Sequence, residues 1–414
     1  MNQDCRRRET CRLCGGRNLD RVLSLTPTPP ANAFVGEGDK DKAQACFPLD
    51  VFFCAGCAHV QLLNVVDPRL LFENYVYVSG TSPVFVRHFA DYAEAVIARF
   101  RPDPGSLVVD LGSNDGTLLK EFKRRGMTVL GVDPARAIVA RATAAGIETI
   151  GDFFTPILAA RMRNERGPAA IVTANNVFAH ADDLKGIAEG VRALLANDGV
   201  FAFEVSYLVD VIEKTLFDTI YHEHLAYHSV KPLVGFLAGV GLDFFAAERV
   251  ASHGGSLRGF AQSAGGPRRP DGSVAAMLAL EKERRLDSPE TFLDFARRID
   301  GHGDEIRRLI TGIKKEGKSI AGFGAPAKAT TLMHHFRLGP HAIDFIVDDS
   351  PLKQGLYTPG LHVPVLPVDA LYERRPDYVI VLAWNFAQPI MAKHSAFRAA
   401  GGRFIVPLPE LEVH

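Results

Sequence analysis

The chain has 414 residues, which is enough for two or three domains. It is 47% hydrophobic and 23% charged, with a formal net charge of -1, a composition typical of soluble globular proteins. This balance gives no reason to expect nucleic acid or an anionic membrane as a partner, and no run reaches the roughly 18 apolar residues of a membrane span. The N-terminus lacks the apolar core of a signal peptide, and we interpret Arg6-Arg7-Arg8 as part of a solvated tail. We therefore expect a cytoplasmic protein.

All six cysteines lie in the first 57 residues, and four of them form two C-x-x-C pairs, Cys11 with Cys14 and Cys54 with Cys57. A reducing cytosol disfavours disulfides, so two such pairs predict a tetrahedral four-thiolate zinc site. The rival interpretation, a redox pair, requires a thioredoxin-like βαβ context that is absent here. Four thiolates close the coordination shell, so we expect the Zn2+ to be structural, with Cys5 and Cys46 outside it.

The central pattern is the stretch 107–122, in which an apolar run enters a glycine-rich turn and then a helical segment. Such a strand, turn and helix predict the first unit of a doubly wound sheet. The spacing Asp110-x-Gly112-x-x-x-Gly116 differs from the dinucleotide spacing G-x-G-x-x-G and is similar to motif I of S-adenosylmethionine (SAM) methyltransferases. We place SAM on this loop, including Asn114, with both ribose hydroxyls on Asp133 at the end of the next apolar run. An ordinary turn with a solvated Asp is the alternative.

Alternating apolar runs and helical patterns from 105 to about 262 indicate one α/β sheet. After the third strand, Asp152 is placed to meet the adenine amino group and Phe153 the adenine face. The fourth strand ends in Asn175 and Asn176, at the edge where such folds hold ligands. These two amides are candidates for the amino-acid part of SAM, and a polar turn is the alternative.

Histidines, tyrosines and a glutamate are concentrated at 219–228. Histidine titrates near neutrality and is the usual general base, which favours catalysis here. A buried hydrogen-bonded knot is the alternative, and metal binding is a weaker one because no regular spacing brings His222, His224 and His228 together. Further along, a glycine turn lies between polar side chains, and we take His253, Ser256 and Arg258 as candidate substrate contacts.

A linker at 265–272 precedes two predicted helices, 273–285 and 289 to about 315, the second with a long apolar stripe that we interpret as core. A second α/β module follows, in which Gly322-x-Gly324-x-x-Ala327 fits the dinucleotide fingerprint. Taken alone, this loop suggests NAD(P). The same loop can hold the pyrophosphate of any nucleotide, with Lys328 as the counter-ion. Trp384 and Asn385 end a later strand and are further candidates for substrate binding.

Together these motifs resemble the three-domain sugar C-methyltransferases of deoxysugar biosynthesis, which use SAM to add a methyl branch to a nucleotide-linked keto-deoxysugar. The resemblance covers nearly the whole chain and rests on the two cysteine pairs with Pro-Pro-Ala-Asn-Ala-Phe between them, and on Asp-Leu-Gly-Ser-Asn-Asp-Gly, Tyr-His-Glu-His, His-Gly-Gly-Ser-Leu-Arg and Gly-Phe-Gly-Ala-Pro-Ala-Lys. It implies an α/β protein with a zinc-binding domain (1–82), a Rossmann-like SAM-binding domain (83–266) and a C-terminal Rossmann-like domain (267–414) that helps hold the sugar nucleotide. It also implies that Tyr77, His180, Tyr221, Glu223 and His224 lie in the active site.

Carbon–carbon bond formation with SAM requires a carbanion, so a base must remove a proton next to a ketone while donors stabilise the enolate oxygen. We assign the base to His224, its orientation to Glu223, and the keto or enolate contact to Tyr221 and His222. Tyr77 and His180 are expected to close the other side of the pocket.

Two other classes compete with this hypothesis. An NAD-dependent sugar-nucleotide oxidoreductase would use the loop at 322–327, and a non-catalytic zinc-anchored scaffold would leave the Tyr-His-Glu-His cluster without a use. We expect a dTDP-sugar as the substrate and a monomer as the oligomeric state.

Overall fold

The computed structural model describes residues 4–72, 80 and 83–414, apart from the side chains of Pro83 and His253. Tyr77, one of the residues expected in the active site, therefore lies outside the described residues. Among the helices that are described, none is long and apolar enough to cross a membrane.

The N-terminal region forms antiparallel sheets that carry the cysteine pairs. Its elements are β1 (Cys5–Arg7), β2 (Leu19–Thr28), β3 (Phe47–Cys54), β4 (Val60–Leu62), β5 (Asn64–Val66) and α1 (Pro68–Phe72). One sheet has the order β11-β4-β3-β2, where β11 (Ala226–Tyr227) comes from the middle of the chain, and β1 pairs with β5. The histidine-rich segment therefore continues directly into a strand of the zinc-binding domain.

The middle region contains a seven-stranded sheet of order β12-β13-β10-β9-β6-β7-β8. Its strands are β6 (Leu107–Leu111), β7 (Thr128–Val132), β8 (Thr149–Ile150), β9 (Ala169–Asn175), β10 (Leu195–Ser206), β12 (Leu242–Val250) and β13 (Ser256–Ser263). Its helices are α2 (Pro83–Phe100), α3 (Thr117–Arg124), α4 (Arg136–Ala144), α5 (Pro156–Arg166), α6 (Leu184–Leu194), α7 (Leu208–Glu213) and α8 (Val230–Gly239). Five neighbouring strands of this sheet are parallel: β8, β7, β6, β9 and β10. The strand β13 is antiparallel to both of its neighbours, β10 and β12. Because β6 lies between β7 and β9, the chain reverses its strand order at β6, which is where such folds open a ligand crevice.

Helices cover both faces of this sheet, so its central strand β6 is buried throughout and apolar except for Asp110. Every residue of β6 is buried, and neighbouring residues face opposite layers: Val108 packs with Phe89 and Tyr92 of α2, whereas Val109 belongs to the core on the other face. Local capping sets where the helices begin. Thr155 accepts a hydrogen bond from the Leu158 amide ahead of a proline at the first helical position of α5.

The C-terminal region begins with two helices, α9 (Ser273–Glu283) and α10 (Pro289–Lys315). The predicted apolar stripe of α10 is buried from Phe292 to Ile313, which confirms its assignment to the core. Glu281 of α9 accepts hydrogen bonds from the amides of Val230 and Lys231, so this helix packs against the start of α8.

A six-stranded sheet of order β16-β15-β14-β17-β18-β19 follows. Its strands are β14 (Ile320–Phe323), β15 (Phe345–Val347), β16 (Val365–Leu366), β17 (Tyr378–Val381), β18 (Arg403–Val406) and β19 (Glu412–Val413), and its helices are α11 (Ala327–Phe336), α12 (Ala370–Arg374), α13 (Ala387–Lys393) and α14 (Ser395–Ala399). All pairs are parallel except β18 with β19, and β14 lies between β15 and β17. The predicted second α/β module is confirmed, with its glycine loop at the carboxyl end of a central strand.

The N-terminal arginines are not a solvated tail, contrary to our expectation. The strand β1 that holds Arg6 and Arg7 pairs with β5, and the side chains of Arg6, Arg8 and Arg12 all contact the carboxylate of Asp182. The Arg12 guanidinium is buried, so its charge requires a nearby carboxylate. These ion pairs attach the N-terminal domain to the loop that follows β9.

Candidate active site

A cavity of about 1490 Å3 is lined by residues of all three regions. The N-terminal domain contributes Asn32 and Phe72, the middle region the loop after β6, and the C-terminal domain Lys328 and Asn385. Most of these residues follow the carboxyl ends of parallel strands or the first turns of helices, where backbone amides point outward. The cavity therefore combines the two predicted glycine loops and the histidine-rich segment in one space.

The loop after β6 packs closely against the residues that follow β9. Gly112 has φ +66°, and a Cβ placed there would lie 2.3 Å from a methyl carbon of Val177. A side chain at this position would thus meet both backbone strain and a collision, which explains the glycine. Asp133 closes the loop, because one carboxylate oxygen accepts from the Asn114 amide (2.9 Å) and the other from the Ala135 amide (2.9 Å).

The expected contact of Asp133 with the ribose hydroxyls has to share the carboxylate with hydrogen bonds inside the loop. Each of its oxygens already accepts one backbone hydrogen bond, so a ribose hydroxyl would use the remaining lone pair. Burial raises the pKa of this carboxyl. Asp133 therefore shapes the loop after β6 as well as lining the cavity.

Two buried polar side chains at the strand ends have capacity for a ligand. Both amide atoms of Asn175 are buried and have no hydrogen-bond partner among the described residues, while the nearby Tyr92 hydroxyl donates to the Ala202 carbonyl (3.3 Å). Burial raises the pKa of Asp110 to about 7, although the Thr173 hydroxyl donates to it at 2.6 Å. An unsatisfied buried amide is costly unless a ligand or water binds it, so Asn175 fits the predicted contact to the amino-acid part of SAM.

Three of the remaining predicted SAM contacts, Asn176, Asp152 and Phe153, also line the cavity, whereas Gly116 does not. Asn176 has φ +55°, and its amide donates to the Glu204 carbonyl, which turns the chain sharply after β9. Asp152 and Phe153 follow β8, and the Phe153 side chain is 39% exposed. An aromatic side chain exposed at the rim of a cavity is suited to cover a flat ring. Gly116 begins α3 with φ +75° and packs against Ile147, so its role is in the loop and helix rather than in direct contact.

Two aromatic side chains pack against the ring of His224. Its ring centroid lies 4.1 Å from that of Tyr221 and 4.9 Å from that of His180, and all three residues line the cavity. The Nδ1 atom of His224 lies 2.6 Å from the Thr219 carbonyl oxygen. A carbonyl only accepts, so Nδ1 carries the proton, and in the neutral ring Nε2 is the basic nitrogen.

Glu223 and His222 are positioned differently from our expectation. Glu223 is buried and accepts a hydrogen bond from the Asn32 amide (3.1 Å), while the contact observed at the His224 Nδ1 atom is the Thr219 carbonyl. His222 does not line the cavity: its Nε2 lies 3.1 Å from the Phe47 carbonyl oxygen, and its ring packs edge-on against Phe47. Burial lowers the pKa of His222 to about 4, so it is a neutral core histidine and not an enolate ligand.

The C-terminal domain brings a buried lysine to the cavity. The Lys328 ammonium lies 3.9 Å from the centre of the Trp384 ring and 3.5 Å from a carboxylate oxygen of Asp218. The Trp384 indole N–H donates to the same carboxylate at 2.6 Å, so Trp384 and Asp218 together position Lys328. Asn385 lines the cavity, whereas Trp384 does not. Gly324 is packed against Ala383 and is not part of the lining.

Ser256 and Arg258, which follow the glycine turn after β12, do not line the cavity. Ser256 is buried and donates to the Ser252 carbonyl, and Arg258 forms an ion pair with Glu204 (2.9 Å) and stacks on Tyr92. Both residues belong to the core behind the strand ends, so our assignment of them to the substrate is wrong. His253 lies in a short 3-10 helix, and its side chain is outside the described part of the structure.

Sequence reasoning missed three contributors to the site. Asp218 and the Thr219 carbonyl precede the histidine-rich motif and carry no pattern of their own. Lys353 lines the cavity and donates to the Ala325 carbonyl (2.7 Å) beside the second glycine loop. The available indication in the sequence was a lysine that follows β15 and the acidic pair Asp348-Asp349 by only a few residues.

The four paired cysteines form one cluster, with the Sγ atoms of Cys11 and Cys57 and those of Cys14 and Cys54 3.6 Å apart. All four sulfurs lie within 4.8 Å of one another. A tetrahedral zinc with Zn–S bonds of about 2.3 Å places its sulfurs roughly 3.8 Å apart, so the cluster fits this ion. The four predicted zinc ligands are thus brought together in one cluster, and Cys5 and Cys46 lie outside it.

Three family models match consecutive parts of the chain. They describe a zinc binding domain (residues 11–72), a methyltransferase domain (85–245) and a C-methyltransferase C-terminal domain (251–409). The C-methyltransferase NovU of Streptomyces niveus is 36% identical over 405 residues, which cover 98% of this chain and 96% of the relative.

Solved structures are similar over less of the chain. A SAM-dependent methyltransferase from Clostridium acetobutylicum ATCC 824 is 13% identical, with 44% of this chain and 92% of that chain covered and a TM-score of 0.36. Magnesium protoporphyrin IX methyltransferase (ChlM) from Synechocystis PCC 6803 with bound SAH is 16% identical, with 44% and 88% covered and a TM-score of 0.34. Likenesses this distant carry no information about the substrate.

Proposed function

The chain belongs to the family of three-domain, zinc-containing, SAM-dependent C-methyltransferases, and we propose that it methylates the carbon beside the ketone of a nucleotide-linked deoxysugar through an enolate. The observation that carries this proposal is the His224 imidazole. Its Nδ1–H bond to the Thr219 carbonyl (2.6 Å) makes Nε2 the basic nitrogen of a neutral ring, on the same cavity as the SAM loop. Methylation of a carbon depends on a positioned base more than methylation of an oxygen or a nitrogen does.

In this mechanism, SAM supplies an electrophilic methyl group. His224 removes the proton next to the ketone and becomes an imidazolium, which the Thr219 carbonyl stabilises through the Nδ1–H bond. The Tyr221 ring, 4.1 Å from the His224 ring, places a phenol beside the base as a donor to the developing enolate oxygen. The nucleophilic carbon would then bond to the methyl group of SAM as the bond between that methyl and sulfur breaks, which releases S-adenosylhomocysteine, and His224 would pass its proton to solvent. This transfer requires no metal, so the zinc cluster stays structural.

The nucleotide part of the substrate is assigned to the C-terminal side of the cavity. Lys328 and Lys353 line this side, and α11 begins there with outward-pointing amides, a combination suited to a diphosphate. Asp348 repeats the geometry of Asp133, because its carboxylate accepts from the loop amide of Ala325 (2.6 Å) and from the amide of Ser350 (2.8 Å). We favour dTDP as the nucleotide, and the oxidoreductase alternative is not favoured because the family to which the chain belongs transfers methyl groups.

The proposal is tested by hydrogen exchange in heavy water. Wild-type enzyme with the keto-sugar nucleotide and S-adenosylhomocysteine should exchange deuterium into the carbon to be methylated, because proton removal precedes methyl transfer. His224→Ala should bind SAM normally yet lose both exchange and methylation, by about 10²–10⁴-fold as for loss of a general base.

His222→Ala serves as the matched control, since its ring is buried against Phe47 and should affect stability more than chemistry. Near-normal turnover by His224→Ala would assign the base elsewhere, with His180 the first residue to examine.

A further inference from the structure

The segment that carries His224 is held in place by the C-terminal domain. On one side of Thr219, the Asp218 carboxylate accepts from the Trp384 indole N–H (2.6 Å) and lies 3.5 Å from the Lys328 ammonium. On the other side, the Thr331 hydroxyl of α11 donates to the Ile220 carbonyl at 2.8 Å. The peptide that presents the Thr219 carbonyl to His224 is therefore fastened at both neighbouring residues by side chains of another domain.

These fastening groups are deeply buried. Asp218 and Thr331 have no exposed surface, and Trp384 is 7% exposed. Hydrogen bonds in such surroundings are costly to break without replacement, so the conformation of residues 218–220 is strongly constrained. A change of a few tenths of an ångström in the Thr219 carbonyl would turn the imidazole plane, because the Nδ1–H bond sets both its direction and its tautomer.

We propose that Thr331 and Asp218 are positioning residues for His224, and that the C-terminal domain thereby sets the orientation of the catalytic base in addition to any role in nucleotide binding. This inference rests on the proposed function only in taking His224 as the base. Lys328 extends the connection to the substrate side, since the same ammonium that lines the cavity lies beside the Asp218 carboxylate.

Several charged or titratable groups surround this assembly. His180 and Tyr221 stack on the His224 ring, Glu223 is the adjacent residue and contacts Asn32, and the Lys328–Asp218 pair adjoins the anchoring peptide. A neutral change at Thr331 alters none of these charges. It therefore separates orientation of the base from a change in local electrostatics.

The test compares Thr331→Val, which keeps the shape but removes the hydroxyl, with Thr331→Ser, which keeps the donor. Deuterium exchange, methylation, SAM affinity and the pH profile of kcat/KM are measured on the full chain with dTDP-linked keto-sugar. Thr331→Val should slow exchange and methylation together by roughly 10–100-fold with SAM affinity within about twofold of wild type. The acidic limb of the profile should move to lower pH, because the imidazolium loses part of its hydrogen bond to Thr219. Thr331→Ser should restore both.

Asp218→Asn should likewise slow deuterium exchange and methylation, whereas Asp377→Asn should leave both rates unchanged. Asp377 also forms an ion pair within the C-terminal domain, with Lys318, but it lies at the opposite end of β14 and does not line the cavity. Normal exchange by Thr331→Val together with an inactive His224→Ala would overturn this inference while leaving the proposed function intact. The inference would also be overturned if Thr331→Val slowed both rates without moving the acidic limb and Thr331→Ser did not restore them. Thr331 would then have a structural role only.

Discussion

Asp110 is a carboxyl group whose charge depends on pH within the physiological range. Burial raises its pKa to about 7, so in the folded protein it holds its proton over a range where the unfolded chain has lost it. Its contribution to the free energy of unfolding is therefore greatest at low pH and is lost as pH rises from about 4 to about 7. A ligand that brings a positive charge to Asp110 favours the deprotonated carboxylate instead.

We expect SAM affinity to weaken as pH falls below about 7, approaching a tenfold loss per unit, because binding a cation to Asp110 requires removal of its proton. Asp110→Asn should bind SAM more weakly at pH 7.5 and show a flatter pH dependence. Calorimetric titration at several pH values between about 5.5 and 7.5 measures both. Parallel slopes for the two proteins would show that Asp110 does not meet the charge of SAM.

At the scale of single elements, the turn between β6 and α3 depends on a close approach as well as on a backbone conformation. Gly112 has φ +66°, and its hypothetical Cβ lies 2.3 Å from Val177, whereas Gly126, at the end of α3, has φ +83° and open space around it. The two glycines thus share the strained conformation and differ in their surroundings. This difference allows strain and collision to be separated by experiment.

Gly126→Ala should cost about 1 kcal/mol of stability for the left-handed backbone, and Gly112→Ala should cost more, because its Cβ also collides with Val177. Only Gly112→Ala should also weaken SAM binding, by more than about tenfold, because the loop must shift away from Val177. Thermal unfolding gives the first quantity and calorimetry the second. Equal SAM affinities for the two variants would mean that the loop does not approach the ligand as closely as we infer.

At the scale of the whole molecule, the zinc cluster and the catalytic segment share a sheet. The strand β11, two residues after His224, pairs with β4, and β3 and β4 flank the Cys54–Cys57 pair. Binding of a structural zinc is coupled to the folding of its domain, so losing the ion should disturb this sheet. The metal is then needed for catalysis without taking part in it.

Cys54→Ser should bind less than half an equivalent of zinc, unfold at lower temperature and lose methylation in proportion. Cys46→Ser removes an exposed thiol outside the cluster and should keep one equivalent and full activity. Metal analysis of protein purified without chelator, together with thermal unfolding, measures both variants. Loss of zinc from Cys46→Ser would contradict our ligand set, and full activity of a zinc-free protein would contradict the coupling.

The two glycine loops of the molecule should distinguish their ligands. We expect dTDP to raise the unfolding temperature through the C-terminal loop, because Lys328 and Lys353 line that side of the cavity and we propose that they bind its diphosphate. NAD should give no comparable shift. Lys353→Ala should abolish most of the dTDP shift and leave the SAM shift unchanged. A strong NAD shift that is lost in Lys353→Ala would revive the oxidoreductase interpretation.

The sequence by itself determined the features that depend on local spacing. Two cysteines separated by two residues form half of a metal site in almost any loop, and Asp110, Gly112 and Gly116 define a turn because a strand enters it and a helix leaves it. The apolar period of 289–315 likewise predicted α10 with its buried face. These patterns need no knowledge of distant residues.

Only the tertiary structure decided which polar side chains reach the cavity. His222 and His224 are two positions apart and similar in sequence context, yet the first meets the carbonyl of Phe47, 175 residues away, and the second lines the cavity. Arg258 pairs with Glu204, 54 residues away, and so leaves the site. The anchors of the catalytic segment, Thr331 and Trp384, lie 111 and 166 residues from their partners. A buried polar group takes whichever partner the packing of other elements brings near, and no spacing along the chain records that choice.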